Sequence, residues 1–137
     1  MVRLGLIGCG MMGTHHVEVF HRHPDVRYVA CCDPTPSKLE RFQKEHEIAA
    51  GYTDWHAMVD ETPLDAVTIA TPDVLHAPAA QYALGRSLGV LLEKPIAIDM
   101  VAARALLSAG RNSSAPLVVN FSKRNAAALR AAIAVVR

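Results

Sequence analysis

The sequence predicts an α/β fold, a doubly wound parallel sheet of about six strands with helices on both faces. Three observations predict it. Short apolar runs alternate with longer amphipathic segments along the whole chain. The first run feeds straight into Gly8-Cys9-Gly10-Met11-Met12-Gly13, a G-x-G-x-x-G turn with a strand pattern before it and a helix pattern after it. An acid, Asp33, stands 20 residues beyond the last glycine, at the end of the second apolar run.

Leu4, Leu6 and Ile7 read as a short buried strand. Gly8 permits the tight turn that leaves it, Gly10 puts no Cβ in the way of a pyrophosphate, and Gly13 lets the next helix pack close to the sheet. Val17 and Phe20 continue the face of Gly13 at i+4 and i+7. Such a helix aims unpaired N–H groups and roughly +0.5 of a charge at a phosphate. Gly8, Cys9, Gly10, Met11, Met12 and Gly13 are therefore candidate cofactor-binding residues, and Asp33 is the candidate acceptor for the adenosine ribose hydroxyls. A glycine-rich turn that binds nothing fits less well, because the strand–turn–helix context and the acid agree.

The totals bound the function class. The chain has 137 residues, enough for one domain with a substantial core and hardly for two. Half of the residues are apolar, as a sheet covered on two faces requires. Lys and Arg number 14 and Asp and Glu 13, so there is no net field to draw in nucleic acid or an anionic membrane. No apolar run is long enough to span a bilayer, and the N-terminus does not read as a secretory leader. Cys9, Cys31 and Cys32 show no metal spacing and no C-x-x-C, which suits buried reduced thiols in a cytoplasmic protein better than a reactive Cys9.

The remaining elements follow in order. His21-Arg22-His23-Pro24-Asp25 closes the first helix. His15, His16, His21 and His23 read as a solvated helix face and end, since the nearby carboxylates and thiols complete no zinc pattern. Val26–Cys32 is the second strand. Thr35-Pro36 starts a helix with Leu39 and Phe42 inward and Lys38, Glu40, Arg41, Lys44 and Glu45 outward. Residues 48–52 form an edge strand, and Thr53 caps a short helix with Trp55, Met58 and Val59 toward the core. Trp55 is expected in the core rather than against an adenine. Residues 64–70 make a central strand that ends in Thr71-Pro72, where ligands of open α/β sheets bind. Pro78 is tolerated in the first turn of the next helix. Residues 90–92 form the fifth strand and deliver Glu93-Lys94-Pro95. Two opposite charges at the end of a buried strand are costly unless paired or used, and Lys94 is expected to point into the crevice. Asp99 caps a helix over 100–109, residues 117–121 form the sixth strand, and 126–136 is an alanine-rich helix. The domain is thus 1–121, and 122–137 is a crossover segment and helix.

Taken together, the glycine turn, Asp33, Ala70-Thr71-Pro72 with His76, Glu93-Lys94-Pro95 and Asn120-Phe121-Ser122-Lys123-Arg124 resemble the N-terminal domain of the Gfo/Idh/MocA (glucose–fructose oxidoreductase / inositol dehydrogenase) family, over essentially the whole chain. The Glu-Lys-Pro element is its most specific piece. The resemblance implies a Rossmann fold in which the glycine loop holds the pyrophosphate of NAD and Asp33 the adenosine ribose. It implies that Thr71, Pro72 and His76 line the nicotinamide half, that Glu93 and Lys94 lie beside the ring, and that Lys94 contacts substrate and moves a proton. It also implies a cis Lys94–Pro95 peptide. The sequence departs from the family pattern at Asp73 (usually Asn), at Ser87 (usually Gly) and at Asn120 (often Gly). Family members continue into a second, substrate-carrying domain, so this chain is expected to be a cofactor domain without it, and to lack full activity alone.

The implied reaction is hydride transfer between the nicotinamide and a hydroxyl carbon of a sugar, cyclitol or related small molecule. Lys94 is the candidate catalytic residue; a lysine in a dry pocket beside a cationic ring suits general acid–base work. A carboxylate at Asp33 repels a 2′-phosphate, so NAD is expected over NADP, with Lys38 as a partial offset. No metal is expected, and exposed apolar surface favours a homo-oligomer. Three alternatives stay open: a redox-assisted elimination or glycoside cleavage that restores NAD, a non-catalytic NAD-binding sensor or partner protein, and a fragment stable only as an oligomer.

Overall fold

A computed structural model describes residues 1–121. The crossover segment and helix expected at 122–137 lie outside the described residues. Strands β1 (Val2–Ile7), β2 (Val26–Cys32), β3 (Ala50–Tyr52), β4 (Ala66–Ile69), β5 (Gly89–Glu93) and β6 (Leu117–Asn120) form one sheet in the order β3-β2-β1-β4-β5-β6. Every neighbouring pair is parallel. Helices α1 (Met11–Phe20), α2 (Pro36–His46), α3 (Trp55–Glu61), α4 (His76–Gly85) and α5 (Met100–Asn112) make the connections.

Strand alternation divides the core into two layers. Leu4 and Leu6 of β1 face Val17 of α1 and Leu39 and Phe42 of α2. Ile7 faces the other way, into a layer with Met58 of α3, Ala80 and Leu84 of α4 and Leu106 of α5. Full burial of each Leu, Ile, Val, Phe or Met among them contributes about 1.5–3 kcal/mol relative to exposure. The strand order reverses between β1 and β4, the topological switch point where open α/β sheets bind ligands. Register makes the strand ends flush: Ile7 pairs with both Cys32 and Ile69, Ile69 with Leu92, and Glu93 with Asn120. The loops at Gly8, Asp33, Thr71 and Lys94 therefore share one rim.

Several element ends differ from expectation. Glu47, at φ 54°, ends α2, and Gln43 Nε2 donates to the Ile48 and Ala49 carbonyls, which keeps Ile48 buried but out of the ladder; β3 starts at Ala50. Asp54, not Thr53, caps α3, by accepting the His56 N–H at 2.9 Å. A 3-10 turn, Asp73–Leu75, precedes α4. Helix α5 runs to Asn112, with Asp99 accepting the Ala102 N–H at 2.8 Å. The larger correction is His16, read as solvated. It is 3% exposed, because positions 13, 16, 17 and 20 share the inward face of α1.

Candidate functional site

The loops after β1, β2 and β4 enclose a cleft of about 690 Å³ at the switch point. Its glycine-loop side is built mostly from backbone. Gly8 has φ +103°, and a Cβ there would fall 2.5 Å from the Ala70 carbonyl oxygen. A Cβ on Gly13 would collide with the Gly8 carbonyl. Both glycines are thus required by the protein's own packing. Gly10 is different: nothing lies within 4 Å of where its Cβ would be, and it lines the cleft. It is also the N-cap of α1, which has no side-chain cap and no acid in its first turn. The first N–H groups of the helix thus have no side-chain cap. Met11 and Met12 line the cleft beside them, whereas Cys9 and Gly13 are buried behind it.

Asp33 leaves the end of β2 and is 4% exposed. Its Oδ2 accepts the Cys9 N–H at 3.2 Å and the Lys38 ammonium at 2.5 Å, and its Oδ1 accepts the Thr35 N–H at 3.1 Å. Burial opposes its charge, but the Lys38 and backbone hydrogen bonds outweigh that and hold the carboxyl below its ordinary value. Lys38, expected outward, thus turns onto Asp33. Trp55 packs against the core and also lines the cleft, so the core assignment holds without excluding ligand contact. The three thiols are free and buried. The Cys31 thiol and burial push Cys9 up, and burial pushes Cys32 up to about 12, so neither has thiolate character at neutral pH.

The lysine side is assembled from side chains. Thr71 and Pro72 line the cleft, and Thr71 Oγ1 is buried without a hydrogen-bond partner among the described residues. His76, expected to line this half, is instead 1% exposed behind it: Nδ1 is 2.5 Å from the Pro95 carbonyl oxygen and Nε2 3.0 Å from that of Thr71. Glu93 is likewise buried, at 6% exposure. Its Oε1 accepts from His16 Nε2 at 2.8 Å and Asn120 Nδ2 at 2.6 Å, and its Oε2 accepts the Lys94 N–H at 3.3 Å. Burial opposes its ionisation, but the bonds from His16 and Asn120 hold it below the usual carboxylate range. The departure at Asn120 thus has a use that glycine lacks. Lys94, expected to point into the crevice, is instead exposed on the same rim and does not line the cleft, because its strand β5 lies one place beyond β4; the dry pocket expected around it is not formed by the described residues. The Lys94–Pro95 peptide is cis.

Sequence reasoning missed His16, and it named Asn120 in the resemblance and as a departure without foreseeing its bond to Glu93. The signal for His16 was its i+3 spacing from Gly13 on the buried face; the signal for Asn120 appears only with the β5–β6 register. Among the described residues no group of three or more His, Cys, Asp or Glu is placed to hold a metal ion, and no helix is long and apolar enough to cross a membrane.

Known proteins agree with this architecture. The chain is 33% identical over 125 residues to inositol 2-dehydrogenase 4 of Saccharopolyspora erythraea, covering 90% of this chain and 37% of that protein. It is 29% identical to D-apiose dehydrogenase of Paraburkholderia graminis over 92% of this chain and 34% of that one. The chain therefore spans little more than a third of the length of these curated relatives. An Agrobacterium radiobacter oxidoreductase crystallised with NAD+, L-tartaric acid and magnesium superposes with a TM-score of 0.90 at 25% identity, over 98% of this chain and 40% of that one. Residues 2–121 match the family model for oxidoreductases with an NAD-binding Rossmann fold, and the chain belongs to that Gfo/Idh/MocA family.

Proposed function

We propose that this chain is the NAD-binding domain of a dehydrogenase that moves a hydride between the nicotinamide and a hydroxyl carbon of a sugar, cyclitol or related small molecule. One observation carries the reading: Gly10 has no steric reason within the protein to be glycine, it lines the cleft, and it is the N-cap of α1, which has no side-chain cap. A pyrophosphate fits that space. Gly8, Cys9, Gly10, Met11, Met12 and Gly13 form or back the cradle, and Asp33 accepts the adenosine ribose hydroxyls. Thr71 and Pro72 form the wall on the nicotinamide side, with the Thr71 hydroxyl buried within that wall.

When bound, NAD supplies the hydride acceptor. Lys94 is the group that moves the alcohol proton, with the substrate completing its surroundings. Glu93 and His76 act from behind, through Lys94 and Pro95. The Asp33 carboxylate disfavours a 2′-phosphate and Lys38 attracts one, so NAD is preferred over NADP with a ratio set by this pair. The inositol and apiose dehydrogenases among the relatives support a polyol substrate. Cytoplasmic residence suits three reduced thiols. Self-association suits the exposed Met100, Val101 and Val118, and size-exclusion chromatography tests it.

The chain has one tryptophan, Trp55, and it lines the cleft. Titration with NADH should quench Trp55 emission and sensitise NADH fluorescence, with NADPH requiring higher concentrations. Absence of transfer from a chain shown to be folded by circular dichroism, together with no heat of NADH binding, would overturn the reading.

A further inference from the structure

We propose that His16 and His76 are positioning residues that grip Glu93-Lys94-Pro95 from its two flanks and so fix where the Lys94 ammonium stands. The inference rests on the proton-transfer role given to Lys94 above. Lys94 itself is exposed, and among the described residues its side chain makes no hydrogen bond or ion pair. A long flexible side chain in that setting samples many rotamers. What restricts it is the backbone from which it starts.

That backbone is held on both sides by buried imidazoles. On the near side His16 Nε2, 2.8 Å from Glu93 Oε1, fixes a carboxylate whose other oxygen takes the Lys94 N–H. On the far side His76 lies between two carbonyl oxygens, that of Pro95 at Nδ1 and that of Thr71, a residue of the cleft wall, at Nε2; a neutral imidazole donates to one of them, and the shorter contact assigns that N–H to Pro95. Packing alone does not account for these choices. His16 Nδ1 is buried with no partner among the described residues, so an aliphatic side chain would fill the same space without an orphaned polar atom. The imidazole is explained by the bond it makes to Glu93. The grip also joins the two sides of the cleft. His16 stands one turn along α1 from Met12, which lines the cleft, so one helix carries both a cleft residue and the imidazole that holds Glu93.

The test is amide hydrogen exchange in this chain, with His16→Leu as the disrupting variant and His16→Gln as the conservative one, since glutamine keeps an N–H donor. His16→Leu should accelerate exchange at the Lys94 amide by about tenfold or more while amides of β1 and β4 keep their protection. His16→Gln should recover most of the difference. In the full-length protein, His16→Leu and His76→Leu should each lower kcat by at least about tenfold and leave the KM for NAD within about threefold. Should His16→Leu fail to fold, Glu93→Gln provides the same reading, because it replaces the oxygen that accepts the Lys94 N–H by an NH2 group. An unchanged Lys94 amide, a rise shared by β1 and β4, or a glutamine no better than leucine would overturn the proposal. Failure of the wild-type chain to bind NADH would sink the cofactor reading while leaving the exchange result as it stands.

Discussion

The two sides of the cleft are made by different means. On the glycine-loop side the working surface is backbone: two glycines locked by contact with the sheet, one glycine left open, an uncapped helix terminus and one carboxylate held by two N–H groups and an ammonium. On the lysine side an exposed side chain stands between Glu93 and Pro95, which are bonded by partners on three elements: buried His16 of α1, buried His76 of α4 and half-buried Asn120 of β6. Under the proposed function, binding and chemistry divide across the switch point: the backbone-built side takes the dinucleotide, and the side positioned from behind by Glu93 and His76 presents Lys94 to the substrate.

The sharpest way to break that contrast is to add one methyl group to each of two glycines. Gly13→Ala drives a Cβ into the Gly8 carbonyl and should destabilise the chain by about 2–4 kcal/mol, losing NADH binding with the fold. Gly10→Ala meets nothing within the protein. It should leave the thermal midpoint nearly unchanged and still weaken NADH by about tenfold or more, or at least 1.4 kcal/mol. Equal effects of the two on stability would show that the open space at Gly10 is not reserved for a ligand.

A smaller but more selective effect is expected across the cleft. Lys94→Ala should keep NADH affinity within about threefold while turnover of the full-length protein falls by about a hundredfold, since removal of a general acid–base typically costs 10²–10⁴-fold. Steady-state kinetics with parallel NADH titration checks this. Loss of affinity equal to the loss of turnover would erase the division between the two sides.

Much of the glycine-loop side was legible because its signals are local. Gly8, Gly10 and Gly13 have fixed spacing, Asp33 follows the second apolar run, and the apolar periodicity places strand and helix around them. The lysine side was legible only at Thr71-Pro72 and Glu93-Lys94-Pro95. His76 was expected in the wall on the family resemblance alone; it follows the 3-10 turn Asp73–Leu75 and is buried behind the wall. His16 was hidden by its own neighbours, since a run containing His15, His21 and His23 looks solvated unless each position is assigned to a helix face. Asn120 is 27 residues from Glu93 and meets it only through parallel pairing of β5 and β6. Long-range partners of this kind leave no pattern in one sequence.

Charge gives a further way to sharpen the comparison. The carboxyls of Asp33 and Glu93 both sit below their ordinary values, so the folded chain binds fewer protons than the unfolded one in that range. Their contribution is fully present above the ordinary carboxylate range, near pH 4, and is lost as pH falls through their own lower values. Asp33→Asn and Glu93→Gln should each flatten acid unfolding. Only the former should also raise NADPH affinity relative to NADH, by about tenfold, since it removes the charge facing a 2′-phosphate. An equal change in cofactor preference from Glu93→Gln would place that carboxylate on the wrong side of the cleft.

The smallest expected effect is a control on all of these, at the opposite rim of the sheet. Helix α4 ends in a Schellman motif: the Leu88 N–H bonds the Ala83 carbonyl at 3.1 Å and the Ser87 N–H bonds that of Leu84 at 3.0 Å. Ser87 holds the left-handed position at φ 58°, where the family pattern has glycine and where a Cβ is strained. Ser87→Gly removes that strain and adds some unfolded-chain entropy, so a net gain of about 0.5–1 kcal/mol is expected, read as a rise in thermal midpoint. Ser87 touches neither side of the cleft. NADH affinity and Lys94 amide exchange should both stay as in the wild type. If either moves with this gain in stability, then the site responds to overall stability, and the changes expected from Gly10→Ala and His16→Leu would no longer report on the cleft itself.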